Sequence, residues 1–143
     1  MRYKPIMSNQ HIRIFEAIKS LAEMRPAVGR SRHVAAITYR DKIMGLGFNQ
    51  LKSHPFQKKY GRHEDAIYLH AETSAIQNTI RVHGDEILEK CSMYVCRMKY
   101  VDTNKERMIQ GLSRPCHGCA QCISTFGIKN VYFTCNEVGY EQL

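Results

Sequence analysis

The 143 residues suit one domain, long enough to bury a core without disulfide staples, and a hydrophobic fraction of 43% is that of an ordinary globule. No apolar run reaches the roughly 18 residues a membrane helix needs, and the opening MRYKPIMSNQ lacks the apolar stretch of a secretory signal, so a cytoplasmic protein without membrane contact is expected. Lysine and arginine outnumber aspartate and glutamate 21 to 13; the net charge of +8 suits an anionic partner such as a nucleotide or nucleic acid, and equally suits plain solubility.

Ser8 is placed to cap a helix running to about Met24, with Ile12, Phe15, Ile18, Leu21 and Ala22 at helical spacing and Pro26 just beyond its end. Arg32–Tyr39 and Ile43–Phe48 read as two strands joined in a hairpin at Asp41-Lys42. A polar, basic loop follows from Leu51 to Ile67. A second helix is predicted from near His70 to about Val82, ended by Gly84. Ser92–Tyr100 reads as a third strand, and the short apolar piece MIQGL is admitted as an added one. Pro115 opens a third helix that Gly127 ends, and Ile128–Thr134 and Val138–Gln142 read as the last two strands. That pair should be antiparallel, because no room remains between them for a crossover helix. The order implies an α/β protein: a three-layer α/β/α sandwich around a mixed, five-stranded sheet.

Without a secretion signal the six cysteines should stay reduced, and clustered cysteines then point to a metal. Cys91, Cys96 and Cys135 are scattered in apolar stretches and read as small core residues. Cys116, Cys119 and Cys122 are clustered. Cys116 and Cys119, at the start of one helix, occupy neighbouring positions and can chelate a single ion. The helix N-terminus favours their thiolate forms. A catalytic zinc ion takes three protein ligands and leaves a fourth position for water. His70 would complete that set. His70 and Glu72 would point apart in mid-helix, so they converge only if His70 stands at the helix entrance. Glu72 would then be the proton carrier, near the metal but not bound to it. The alternative is a structural zinc site closed by Cys122 or His117. Cys122, however, lies about 9 Å along a regular helix from the first thiolate, and His117 would have to turn back on its own helix. His11, His33 and His83 read as surface or capping residues.

His70-Ala71-Glu72 followed by Pro115-Cys116-His117-Gly118-Cys119 resembles the signature of the zinc-dependent cytidine and deoxycytidylate deaminases. The resemblance runs from about Arg32 to the C-terminus. It looks closest to the small deoxycytidylate-type enzymes of viruses and phages. It implies one catalytic Zn2+ and hydrolytic deamination of a cytosine base. It also implies that Asn49 contacts the sugar and that the Ala71 backbone N–H binds the base carbonyl. Two departures stand out: Val101 to Ser113 intervenes before Pro115, and the C-terminus lacks the helix and final parallel strand of the deoxycytidylate branch. Lys52, His54 and Arg62 in the basic loop, and Arg114 before Pro115, are placed to neutralise a 5′-phosphate. Phe56 and Tyr60 could stack on the bases of a longer strand. The favoured partner is therefore a small (deoxy)cytidine nucleotide, dCMP or CMP. A free nucleoside ranks second and single-stranded DNA or tRNA third. Self-association into a homo-oligomer is expected from the family.

Overall fold

The computed structural model describes residues 8–24, 31–50, 70–102 and 107–143. In chain order these form α1 (Asn9–Met24), β1 (Ser31–Tyr39), β2 (Lys42–Phe48), α2 (Ala71–His83), a 3-10 turn at Glu86–Lys90, β3 (Ser92–Tyr100), β4 (Met108–Gly111), α3 (His117–Thr125), β5 (Asn130–Thr134) and β6 (Tyr140–Gln142). Ser8 caps α1 as expected, its hydroxyl accepting the His11 N–H at 3.3 Å. The buried stripe of α1 is Ile14, Phe15, Ile18 and Ala22. Ile12, expected to face inward, is instead exposed, because the inner face follows the 14–18–22 row and Ile12 falls off it.

The strands lie in the order β2-β1-β3-β5-β6, with β4 also paired to β3. β1 is antiparallel to both β2 and β3, whereas β3 and β5 are parallel. β5 and β6 are antiparallel, as the short connection required. The sheet holds six strands rather than five. β3 is long, and β5 covers only its first part, from Ser92 to Val95. The edge from Arg97 to Tyr100 would be left open, and β4 fills it. The hairpin turns one residue earlier than its sequence suggested: Tyr39 pairs with Lys42, and Arg40 takes a left-handed φ of 52°.

Alternation along the central strands sorts side chains into two cores. Val34, Ala36, Tyr94, Cys96 and Met98 pack under α1. Ala35, Ile37, Met93 and Val95 face the other way, with Ala75 and Ile76 of α2 and Cys122 and Ile123 of α3. The sheet is therefore a middle layer between α1 and the α2–α3 pair. Among the described residues, no helix is long and apolar enough to cross a membrane.

Two glycines bring α2 down onto β2. A Cβ at Gly45 would meet the Thr79 hydroxyl, and one at Gly47 would lie 2.2 Å from the Ala71 carbonyl oxygen and 2.3 Å from the Ala75 nitrogen. Asn78 adds a hydrogen bond to the Leu46 carbonyl at 2.8 Å. The first turn of α2 is thus seated against the backbone of β2.

The segment before α3 is held as firmly. The Ser113 hydroxyl donates to the Val95 carbonyl and accepts the Thr134 N–H, each at 2.8 Å. The Thr134 hydroxyl donates to the Gly111 carbonyl at 2.7 Å and accepts the Arg97 N–H at 3.2 Å. Gln110 is also anchored, its amide donating to the carbonyls of Cys135 and Gly139 at 3.0 and 2.9 Å. These bonds join β3, β4 and β5 at one point, three residues before Cys116.

Candidate metal centre

His70 is the N-cap of α2, with extended backbone at φ −85° and ψ 159°. Its carbonyl starts the helix, accepting the Ser74 N–H at 3.0 Å and the Thr73 hydroxyl at 3.2 Å. This non-helical residue lets His70 and Glu72 address the same point despite being two apart. Cys116 is likewise the extended N-cap of α3, and its sulfur accepts the Cys119 N–H at 3.5 Å. Pro115 precedes the cap, and Gly127, at φ 82°, follows the helix. Both helices thus aim their N-termini at the same place.

The His70 Nδ1 atom lies 3.6 Å from the Cys116 sulfur and 3.3 Å from the Cys119 sulfur. All three donor atoms fall within 4.8 Å of one another. Zinc bonds of about 2.3 Å to sulfur and 2.0–2.1 Å to nitrogen, set at tetrahedral angles, require a nitrogen–sulfur edge of about 3.6 Å. The cluster fits that edge, and one nitrogen with two sulfurs is a zinc donor set. Cys122, the candidate fourth ligand of a structural site, is buried in the core with Ile123 and Phe133 and is not in the cluster.

Hydrogen bonds from Cys119 and His70 hold the Cys116 thiol down to about 3. The same hydrogen bond and burial push Cys119 up. His70 is raised, first by its hydrogen bond to Cys116. The two thiols and the imidazole are thus coupled to one another, and the hydrogen bonds that lower Cys116 favour its thiolate, the form a cation binds. Glu72 is 6% exposed. Burial raises its carboxyl to about 6, against opposing contributions from its own backbone N–H and His70. Its carboxyl feels Cys119 and the charges of His70 and Cys116, which puts it beside the donor cluster.

The other predicted site residues are placed as follows. Ala71 is the first residue of α2 and is buried, with its N–H among those that have no intrahelical acceptor. Asn49 follows β2, and its amide is engaged with β1: Oδ1 accepts the His33 N–H at 2.8 Å and Nδ2 donates to the Ser31 carbonyl at 3.4 Å. Arg114 is exposed and lies over the Phe133 ring, 5.6 Å from its centroid. Lys52, His54 and Arg62, with Phe56 and Tyr60, lie outside the described residues.

His33 corrects the sequence reading. It is half-buried on the same sheet face as the cluster, and its imidazole is pushed down to about 4, by burial first and by the Arg97 charge next. It also feels the charges of His70 and Cys116. Its partner across the sheet is Arg97. Strand alternation from Ala35 and Val95 was the signal that could have put both residues on this face. His11 is no simple surface residue either, since its ring packs 4.4 Å from that of Tyr132.

A family model described as the cytidine and deoxycytidylate deaminase zinc-binding region matches residues 8–135. Among solved structures, a cytidine deaminase from Burkholderia pseudomallei superposes with a TM-score of 0.59 at 14% identity, over 96% of this chain and 92% of that one. At that identity the likeness carries the fold: a cytidine-deaminase-like sandwich. No curated protein matches the chain.

Proposed function

Because the chain belongs to the zinc-binding cytidine and deoxycytidylate deaminase family, we propose that it hydrolyses the exocyclic amino group of a cytosine nucleotide, dCMP or CMP, giving the uracil nucleotide and ammonia. The observation that carries this reading is a buried carboxyl, Glu72, beside three donors spaced for one zinc ion. His70, Cys116 and Cys119 would hold the ion. Zinc, when bound, supplies a water whose pKa falls to about 7.

Glu72 takes a proton from the attacking water and passes it to the ring nitrogen next to the carbon under attack. It then delivers the second proton to the departing amine, which leaves as ammonia while the water oxygen remains as the new carbonyl. A carboxyl raised to about 6 suits both halves of that task, because near neutral pH it accepts and releases a proton at similar cost. In this reading the Ala71 N–H holds the base carbonyl and Asn49 contacts the sugar.

The net charge of +8 supports a phosphate-bearing substrate. The shared fold with a solved cytidine deaminase favours a free nucleoside as the second reading. Cytidine, deoxycytidine, CMP, dCMP and a cytosine-containing oligonucleotide, each incubated with the zinc-loaded protein and scored by mass for uracil, separate these readings. Highest kcat/KM on a mononucleotide is expected. Glu72→Gln should keep its zinc and lose about 10²–10⁴ in kcat; a variant with wild-type turnover would remove Glu72 from the chemistry.

A further inference from the structure

Beyond the metal ligands, the same sheet face carries a pair of cations that the reaction does not use. Arg97 and Lys99 alternate with the buried Cys96 and Met98, so their side chains leave β3 on the α2–α3 side. Arg97 stands opposite His33 on β1 and opposite Gly111 on β4. The stems of both cations converge on Gly111, where a Cβ would meet the Arg97 Cδ at 3.1 Å and the Lys99 Cδ at 3.3 Å. The glycine leaves the space in which they lie.

Arg97 is under-satisfied. Its Nε is buried with no hydrogen-bond partner among the described residues, and one terminal nitrogen makes a single long bond, 3.4 Å, to the Leu112 carbonyl. A guanidinium offers five donors in a planar fork that matches a carboxylate or phosphate. A half-buried arginine in this state carries a desolvation cost that an anion would offset. Its place relative to the donor cluster follows from the fold. Ala71 is seated on Gly47, and Gly47 pairs with Ala35, two residues along the strand from His33. Leu112 lies four residues before Cys116. Arg97 therefore sits between the two segments that deliver the metal ligands, one strand across the sheet face from His33.

We propose that Arg97, with Lys99 beside it, forms the subsite that receives the phosphate monoester of the substrate while the base lies at the donor cluster. This rests on the reading of the chain as a cytosine nucleotide deaminase and assigns the residue that makes it prefer the nucleotide. Arg97 acts by binding and orienting. It is supplied by β3 itself, whereas the arginine legible before Pro115, Arg114, lies over Phe133.

The test compares dCMP with deoxycytidine, using zinc-loaded wild-type protein and the variants Arg97→Met and Arg97→Lys. Methionine keeps apolar bulk over Gly111 and removes the charge; lysine keeps a charge without the fork. In the methionine variant the ratio of kcat/KM for dCMP over deoxycytidine should fall about 10- to 100-fold, the usual size of a charge-assisted contact. Inorganic phosphate should inhibit wild-type turnover of dCMP competitively and lose that effect in Arg97→Met, and Arg97→Lys should recover part of both. An unchanged ratio, or equal losses on the two substrates, overturns the subsite and leaves the deaminase reading standing. If Arg97→Met does not fold, as judged by its melting curve, the lysine variant decides: an unchanged ratio and unchanged phosphate inhibition sink the proposal. If wild-type protein deaminates no cytosine compound, the deaminase reading fails separately. Calorimetric dCMP affinities of wild type and Arg97→Met then judge the subsite, and equal values reject it.

Discussion

Gly47→Ala tests how the donor cluster is held. The added methyl would sit 2.2 Å from the Ala71 oxygen and 2.3 Å from the Ala75 nitrogen, about 1.2 Å short of ordinary contact. Both neighbours are backbone, so no rotamer change relieves the clash, and the first turn of α2 must lift from β2. Overpacking of this kind costs about 1–3 kcal/mol. For a chain of this size that is a drop in Tm of roughly 3–10 °C. The displaced turn carries Ala71 and Glu72 and begins at His70. A shift of about 1 Å at a catalytic group costs about 10²-fold in rate. Thermal unfolding and steady-state deamination of dCMP should therefore both register the change. Gly84→Ala is the control: its φ is 81° with nothing within 4 Å, so it should lose about 1–3 kcal/mol of stability through backbone strain and keep its activity. A Gly47→Ala protein with wild-type melting and turnover would refute the close seating of α2. Equal activity losses in the two variants would show that general destabilisation, not displacement, governs the rate.

His33 should shape the acid stability of the zinc-free protein. Its imidazole is pushed down to about 4 from an ordinary 6.5, so the fold favours the neutral ring. Its contribution is fully present above pH 6.5 and is lost as pH falls through about 4, a swing of about 3 kcal/mol. His33→Gln should flatten that limb in urea melts taken between pH 7 and 4; identical slopes would show that other groups set it. For the metal, Cys119→Ser should weaken zinc binding by more than the 10–100-fold typical of losing a supporting contact, whereas Cys122→Ala should keep one zinc per chain. Chelator competition measures both, and a large affinity loss in Cys122→Ala would revive the four-ligand alternative.

The parts of the site that were legible in the sequence are those whose geometry is local. His70 and Glu72 are two residues apart and Cys116 and Cys119 three, so helix entry alone decides whether each pair can converge. Helix bounds followed from Ser8, Gly84, Pro115 and Gly127, which act locally, Ser8 through its hydroxyl and the others through their own backbone. What escaped was set by contacts across strands. His33 and Arg97 are distant in sequence and meet only through the β1–β3 register. β4 was admitted from the MIQGL stretch, but its partner was not legible: it pairs with β3 because β3 outruns β5, a mismatch visible only once both strands are paired. The role of Gly47 depends on a helix more than twenty residues later. Asn49 was singled out by resemblance, yet its bonds to Ser31 and His33 show it also closing the end of the β1–β2 ladder.

The junction at Ser113 and Thr134 has a consequence for how this chain can vary. Register is reset there: whatever the chain does between β3 and β4, the Ser113 hydroxyl meets Val95 and Thr134 before the path reaches Cys116. Changes of length near Val101 are therefore absorbed upstream of the ligand, like slack taken up ahead of a cleat. A peptide grafted beyond Asp102 should therefore leave zinc binding at Cys116 unchanged.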